Sequence, residues 1–180
     1  MKIPQVFIRF GQRFRLRQHA TRLFAASFLA AGFLAVSSMC ASAQRQVLTY
    51  HNNNQRTGLN SAETTLTLSN VNSGMFGRLF TLSVDGLVDA EPLYLSAVTV
   101  QGGTHNVLIV ATEHDSVYAF DADSGTQLWK ISTLKSGERT SDDRGCGQVT
   151  PEIGITSTPA ISRPAGSNGV IYVVAMSKDS

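Results

Sequence analysis

Cysteine is scarce in this chain, with two in 180 residues, Cys40 and Cys146. No Cys-x-x-Cys spacing occurs. His51, His105 and His114 stand apart at turn-like positions without a His-x-x-x-His, so the sequence offers no metal-ligand cluster. Gly-x-Ser-x-Gly is missing, and no local motif assembles a catalytic Ser, His and Asp set. The longest apolar stretch, Leu23–Val36, is shorter than the ~20 residues a membrane-spanning helix needs. Charged residues are few, at 16%, while 42% are hydrophobic, which places the chain with globular proteins and away from disordered ones.

The positive charge is unevenly spread. Lys2, Arg9, Arg13, Arg15, Arg17 and Arg22 precede the apolar stretch with no acid among them, and Ala41-Ser42-Ala43 follows it as a small-x-small cleavage site. Residues 1–43 therefore read as a secretory signal peptide, and the expected location is secreted or periplasmic. The absence of an Arg-Arg pair points to the general export route. Met39 before Cys40 fits a lipoprotein site poorly. Removing residues 1–43 takes away 6 of the 15 Lys and Arg and none of the 13 Asp and Glu, so the remainder carries 9 − 13 = −4. A basic nucleic-acid surface is excluded, and the chain is not membrane-spanning once the leader is gone. Cys146 is then left alone, so no internal disulfide forms in an oxidising compartment.

Within the remainder, Val107–Trp129 organises the rest. Val107–Ala111 is an unbroken apolar run, the pattern of a strand buried on both faces, and Glu113-His114-Asp115 supplies a polar turn. Ser116–Phe120 is a second strand, with Val117 and Ala119 on one face and Tyr118 and Phe120 on the other. Asp121 to Gly125 makes the next turn. Gln127–Ile131 is the third strand, with Trp129 and Ile131 on one face and Leu128 and Lys130 on the other. The pattern recurs: Val107–Ser116 and Ile171–Ser180 align without gaps at an offset of 64, and Glu91-Pro92-Leu93 matches Thr158-Pro159-Ala160 at 67. Short strands repeated at a fixed period signal a propeller or solenoid. Gln46–Tyr50 is a short β-prone stretch, and between Ile131 and Pro159 the sequence predicts a long polar loop.

The order Ala119-x-Asp121-x-x-Ser124-Gly125-x-Gln127-x-Trp129 resembles the tryptophan-docking motif of the PQQ-like, quinoprotein alcohol dehydrogenase-like β-propeller repeats, with Ser124 where that family more often has Thr. The Asn- and Arg-rich stretch His51–Asn60, followed by Asn70-Val71 and Phe76–Leu82, is similar to the entry segment of the same family. The resemblance implies an all-β fold of four-stranded propeller blades, about one and a half of them present. It divides the chain into the leader (1–43), an entry segment with the outer strand of the first blade near Arg78–Leu82 (44–82), the remainder of that blade (83–131), an inter-blade loop (132–158) and an incomplete second blade (159–180). Because propellers need ~4–8 blades to close, the chain reads as a fragment of a longer polypeptide or a truncated gene product.

The family also implies site residues. Its dehydrogenases place an acid three positions before the Pro of the first inner strand, near the quinone; here that position is Asp89, shorter than the usual Glu. They carry two adjacent cysteines in the loop where this chain has Gly145-Cys146-Gly147, so Cys146 is the second residue that would contact a quinone, without a vicinal disulfide. Glu91 and Glu152 are candidate channel-lining groups. Asp121-x-Asp123-x-Gly125 superficially looks like the start of a calcium loop but lacks the later ligands, and the repeat turn explains it. No catalytic residue is assigned. The function expected is that of an exported binding or scaffolding module with an unknown ligand or protein partner. The alternatives are the N-terminal part of a PQQ-dependent alcohol or sugar dehydrogenase using PQQ and calcium, whose catalytic Asp and calcium ligands come from later blades, or a substrate-binding module of a larger extracellular enzyme.

Overall fold

The computed structural model describes residues 5–9, 46–61 and 63–180. Among them no residue is helical; the chain is all-β, and its strands pair antiparallel. In chain order the strands are β1 (Gln5–Arg9), β2 (Leu93–Val100), β3 (Gly103–Ala111), β4 (Ser116–Asp121), β5 (Gln127–Ser132), β6 (Glu138–Asp142), β7 (Glu152–Ile153), β8 (Ala160–Ser162), β9 (Val170–Val174) and β10 (Ser177–Asp179). They form sheet I, β2-β3-β4-β5; sheet II, β1-β9-β8; and sheet III, β10-β6-β7. Apart from β1, the signal segment expected over residues 1–43 lies outside the described residues.

Sheet I is a meander of neighbours in sequence. Pro92 lacks an amide donor, and β2 starts directly after it, as β8 starts after Pro159. The period-two alternation of β4 sorts its side chains as the sequence predicts. Val117 and Ala119 enter one core with Val107, Ile109 and Ala111, whereas Tyr118 and Phe120 join Val110 on the opposite face. In β5 the alternation breaks. The register passes from Ala119↔Trp129 to Phe120↔Gln127, leaving Leu128 as the extra residue of a bulge. Leu128 thereby packs against the same core as Trp129, a correction to the strict alternation expected, while Lys130 stays on the Tyr118 face.

The larger core lies between sheets I and II. Ile171, Val173 and Ala175 occupy it together with Val107, Ile109 and Ala111, the residues 64 positions earlier, so the sequence repeat is a repeat in burial. Each Val or Ile among them contributes about 1.5–3 kcal/mol when removed from water. Trp129 and Ile171 face a shared apolar cavity also lined by Val98, Ile109 and Asn168. Polar contacts staple the same junction. Asn168 donates to Thr99 O and accepts from Thr99 N, and the Arg163 guanidinium donates to Ser96 O and Ala97 O, the carbonyls freed where β2 bulges between Leu95 and Val98.

Four local expectations change. Arg78–Leu82 is not a strand: the outer position of sheet I belongs to β5, and this segment crosses the sheet face, with Leu82 and Val84 packed against Val110, Tyr118 and Phe120. Gln46–Tyr50 contributes only the bridge Val47↔Tyr94. The polar stretch 132–158 is not a plain loop, because β6 and β7 pair within it and β6 also receives β10. That pairing, with Lys178 Nζ 2.6 Å from Asp142 Oδ2, makes a strand of Ser177–Asp179, although the aligned Glu113–Asp115 is a turn.

Replacing Trp129 with Ala is expected to lower unfolding stability by about 2–3 kcal/mol, below the ~3–5 of a wholly buried aromatic because the ring is only half-buried. Chemical denaturation of both proteins checks this, and an unchanged midpoint would remove the inter-sheet role of the ring.

Candidate functional site

The β4–β5 turn is built by Asp121. Its Oδ1 accepts from the amides of Asp123 (3.0 Å) and Ser124 (2.8 Å) and from Ser124 Oγ (2.9 Å), an arrangement only a short acceptor at the turn's first position can make. Oδ2 lies 2.6 Å from His105 Nδ1. The hydrogen bonds with His105 and Ser124 hold the Asp121 carboxyl down to about 2. Gly125 takes a φ of 75°, and its Cα sits so close to the Phe80 ring that a Cβ would lie 3.0 Å from it. Asp121, Ser124 and Gly125 thus fix the turn, Ala119 stands opposite Trp129 in the ladder, and the ring is carried to the inter-sheet core.

The β3–β4 turn, Thr112–Asp115, departs most from its sequence reading. Glu113 and Asp115 are not solvated turn residues: both are fully buried, as is Thr112. Glycines on two sides make this possible. A Cβ at Gly86 would lie 2.9 Å from the His114 backbone nitrogen, and one at Gly154 would overlap the Glu113 carbonyl. Backbone bonds then close the turn in: Glu113 N donates to Leu87 O, Ile155 N to Thr112 O, and Met176 N to Gly154 O. The carboxylates find separate partners. Glu113 Oε2 accepts from Gly154 N (2.8 Å) and Thr156 Oγ1 (3.0 Å), while Asp115 Oδ1 faces Thr133 Oγ1 at 3.5 Å. Asp85 accepts from Thr112 Oγ1 and Ser116 Oγ and pairs with Lys130 at 2.7 Å. Glu113 Oε1 and Asp115 Oδ2 are buried with no hydrogen-bond donor.

These surroundings separate the carboxyls electrostatically. Burial pushes Asp115 up to about 6, against the lowering effect of the nearby Thr140 and Thr133 hydroxyls. Burial also raises Glu113, partly offset by Gly154 and Thr156 and reinforced by the neighbouring Asp89. At Asp85 burial acts upward too, but the hydrogen bonds from Lys130, Ser116 and Thr112 prevail and hold it at about 2.

The residues read as quinone contacts, Asp89 and Cys146, are both exposed. Asp89 is exposed and lies beside Glu113. Cys146 is exposed in a separate turn closed by Cys146 N to Asp143 O. Glu91 joins the entry segment, accepting from His51 N, and its own amide donates to Thr158 Oγ1, so the two Pro-led strand starts meet. Glu152 bonds His114 Nδ1 at 2.9 Å. Among the described residues no group of three or more His, Cys, Asp or Glu is placed to hold a metal ion.

Sequence reasoning missed the burial of Glu113 and Asp115, because an acid directly after an apolar run looks the same whether solvated or enclosed. It also missed Gly154, whose only signal is a glycine between two isoleucines. No protein-family model, curated protein or solved structure matches the chain.

Two outcomes follow from this geometry. Asp115 binds its proton more tightly folded than unfolded, so its contribution is fully present below about pH 4 and is lost as pH rises to about 6, a change of about 3 kcal/mol. Asp85 has the opposite sign, and its contribution is lost as pH falls from about 4 to about 2. Thermal stability should therefore peak near about pH 4, and Asp115→Asn should flatten the alkaline limb; a wild-type maximum at neutral pH would contradict the assignment. Gly154→Ala should destabilise by about 3 kcal/mol or more, since backbone opposes the new methyl, and a melting temperature within a degree or so of wild type would refute the close approach.

Proposed function

We propose that this chain is an exported propeller-repeat protein that works as a binding or scaffolding module, with sheet I one blade and strands β8 and β9 of sheet II the beginning of the next, β1 belonging to the leader. The observation that carries this reading is the Trp129 junction: a four-stranded meander whose Asp121–Gly125 turn delivers one aromatic against a second sheet built from the residues 64 positions on. Stacked sheets that share cores through repeated positions are the construction principle of propellers.

Binding is favoured over quinone-dependent oxidation by the placement of the acids. Asp89 lies beside Glu113, and Cys146 lies in a turn of its own. A binding surface needs only exposed side chains on a rigid frame, and the segment before β2 supplies apolar ones: Leu68, Met75, Leu79 and Phe76 are all well exposed.

The exported protein purified from its natural source tests this reading through its intact mass and absorbance spectrum. The expected result is a protein without quinone absorbance before or after incubation with PQQ and calcium, and without alcohol or sugar oxidation. A quinone band that rises with PQQ, accompanied by dye reduction on an alcohol or sugar, would replace the binding module with a dehydrogenase.

A further inference from the structure

Glu113 presents an unusual combination. Its side chain is fully buried, and Oε2 is satisfied twice, by Gly154 N and Thr156 Oγ1. Oε1 is enclosed without a donor. The neighbouring carboxyl is that of Asp89, itself an acceptor when ionised. Two carboxylates facing each other leave Oε1 a buried anionic oxygen opposite a second anion, an arrangement costing both desolvation and repulsion. One proton removes both costs, because a protonated Oε1 donates to the Asp89 carboxylate while Oε2 keeps its two donors.

We propose that Asp89 and Glu113 form a proton-binding pair, in which one shared proton latches the β3–β4 turn to the segment Glu152–Thr156. Glu113 is the inner member, and exposed Asp89 is the path by which the proton exchanges with water. On release the O–H bond of Glu113 breaks, the proton passes to solvent, and two carboxylates remain face to face. Repulsion from the Asp89 carboxylate then pushes the Glu113 side chain away from its seat on the Gly154 amide. The consequence is local, since Gly154 O also receives Met176 N and Ile155 N bonds Thr112 O, so loosening this point frees the strand entering sheet III from the end of sheet I. For an exported protein this makes the junction a sensor of external pH, tight in mild acid and looser in alkali.

The charged groups around the pair are few and identifiable. The segment before β2 brings Asp85, engaged by Lys130, and Asp89. The turn itself brings His114 and Asp115, and β7 brings Glu152, which is bonded to His114. Asp115 faces Thr133, a partner distinct from those of Glu113. His114 of the His114–Glu152 pair lies on the same turn, so the pair is controlled separately below.

Hydrogen exchange of the full chain, read on a fragment covering Gly154 and Ile155 and corrected for the intrinsic pH dependence of exchange, tests the latch. In the wild type, protection is expected to fall about tenfold between pH 5 and pH 8. Glu113→Gln, whose amide donates to Asp89 at every pH, should hold protection constant, while His114→Asn and Asp115→Asn should keep the fall. A wild-type profile without the fall, a Glu113→Gln profile that retains it, or its loss in His114→Asn or Asp115→Asn alone would each overturn the proposal. Infrared spectroscopy supplies a readout that does not depend on how well Glu113→Gln folds. Because Asp115 also carries a proton at pH 5, the band is read in an Asp115→Asn background, where a protonated-carboxyl band present at pH 5 should disappear by pH 8 and shift when Asp89→Asn is added. A band indifferent to that substitution would also overturn it.

Discussion

The architecture depends on the enclosure of one turn. Thr112–Asp115 joins β3 to β4 at the end of sheet I, and it is there that the segment before β2, the segment following β7 and the residues after β9 come together. Backbone hydrogen bonds to Leu87, Ile155 and the Gly154–Met176 link require near-contact between main chains, and only glycine at 86 and 154 permits it. Once the turn is enclosed, its polar groups must be satisfied from within. Asp85, Thr156 and the Gly154 amide supply most of that need, and the orphaned oxygens of Glu113 and Asp115 are what remains.

At the other end of sheet I the turn Asp121–Gly125 performs a complementary task. Its hydrogen bonds are local and exposed, so they are modest individually, but they set the angle at which β5 leaves and therefore where Trp129 lands. The bulge at Leu128 places two successive side chains of β5 against the same core. Arg163 and Asn168 then tie the β8–β9 loop to the carbonyls that the β2 bulge exposes. The two sheets are thus joined by an apolar centre, with polar fastenings at the edge where β2 loses its ladder partner.

Much of this was legible in the sequence, for physical reasons that can be stated. Period-two alternation separated Val117 and Ala119 from Tyr118 and Phe120, because opposite faces of a strand meet different surroundings. The offset of 64 located matching core positions, since Val107, Ile109 and Ala111 face the same interior as Ile171, Val173 and Ala175. What was not legible depends on contacts between distant segments. Phe76–Leu82 has a strand's composition, yet β5 already holds the outer position and the segment spreads over the sheet face. The acids of the β3–β4 turn read as solvated because the chain that covers them arrives some forty residues later, at Gly154.

The central claim is that two successive repeat sheets pack as one unit through Trp129, the single tryptophan of the chain. Intrinsic fluorescence therefore reports on that junction alone. The account predicts a native emission maximum at shorter wavelength than in the unfolded chain, and a denaturant transition that coincides with loss of the β-sheet circular dichroism signal. Native emission at the wavelength of water-exposed tryptophan, or a fluorescence change well separated from sheet unfolding, would contradict it.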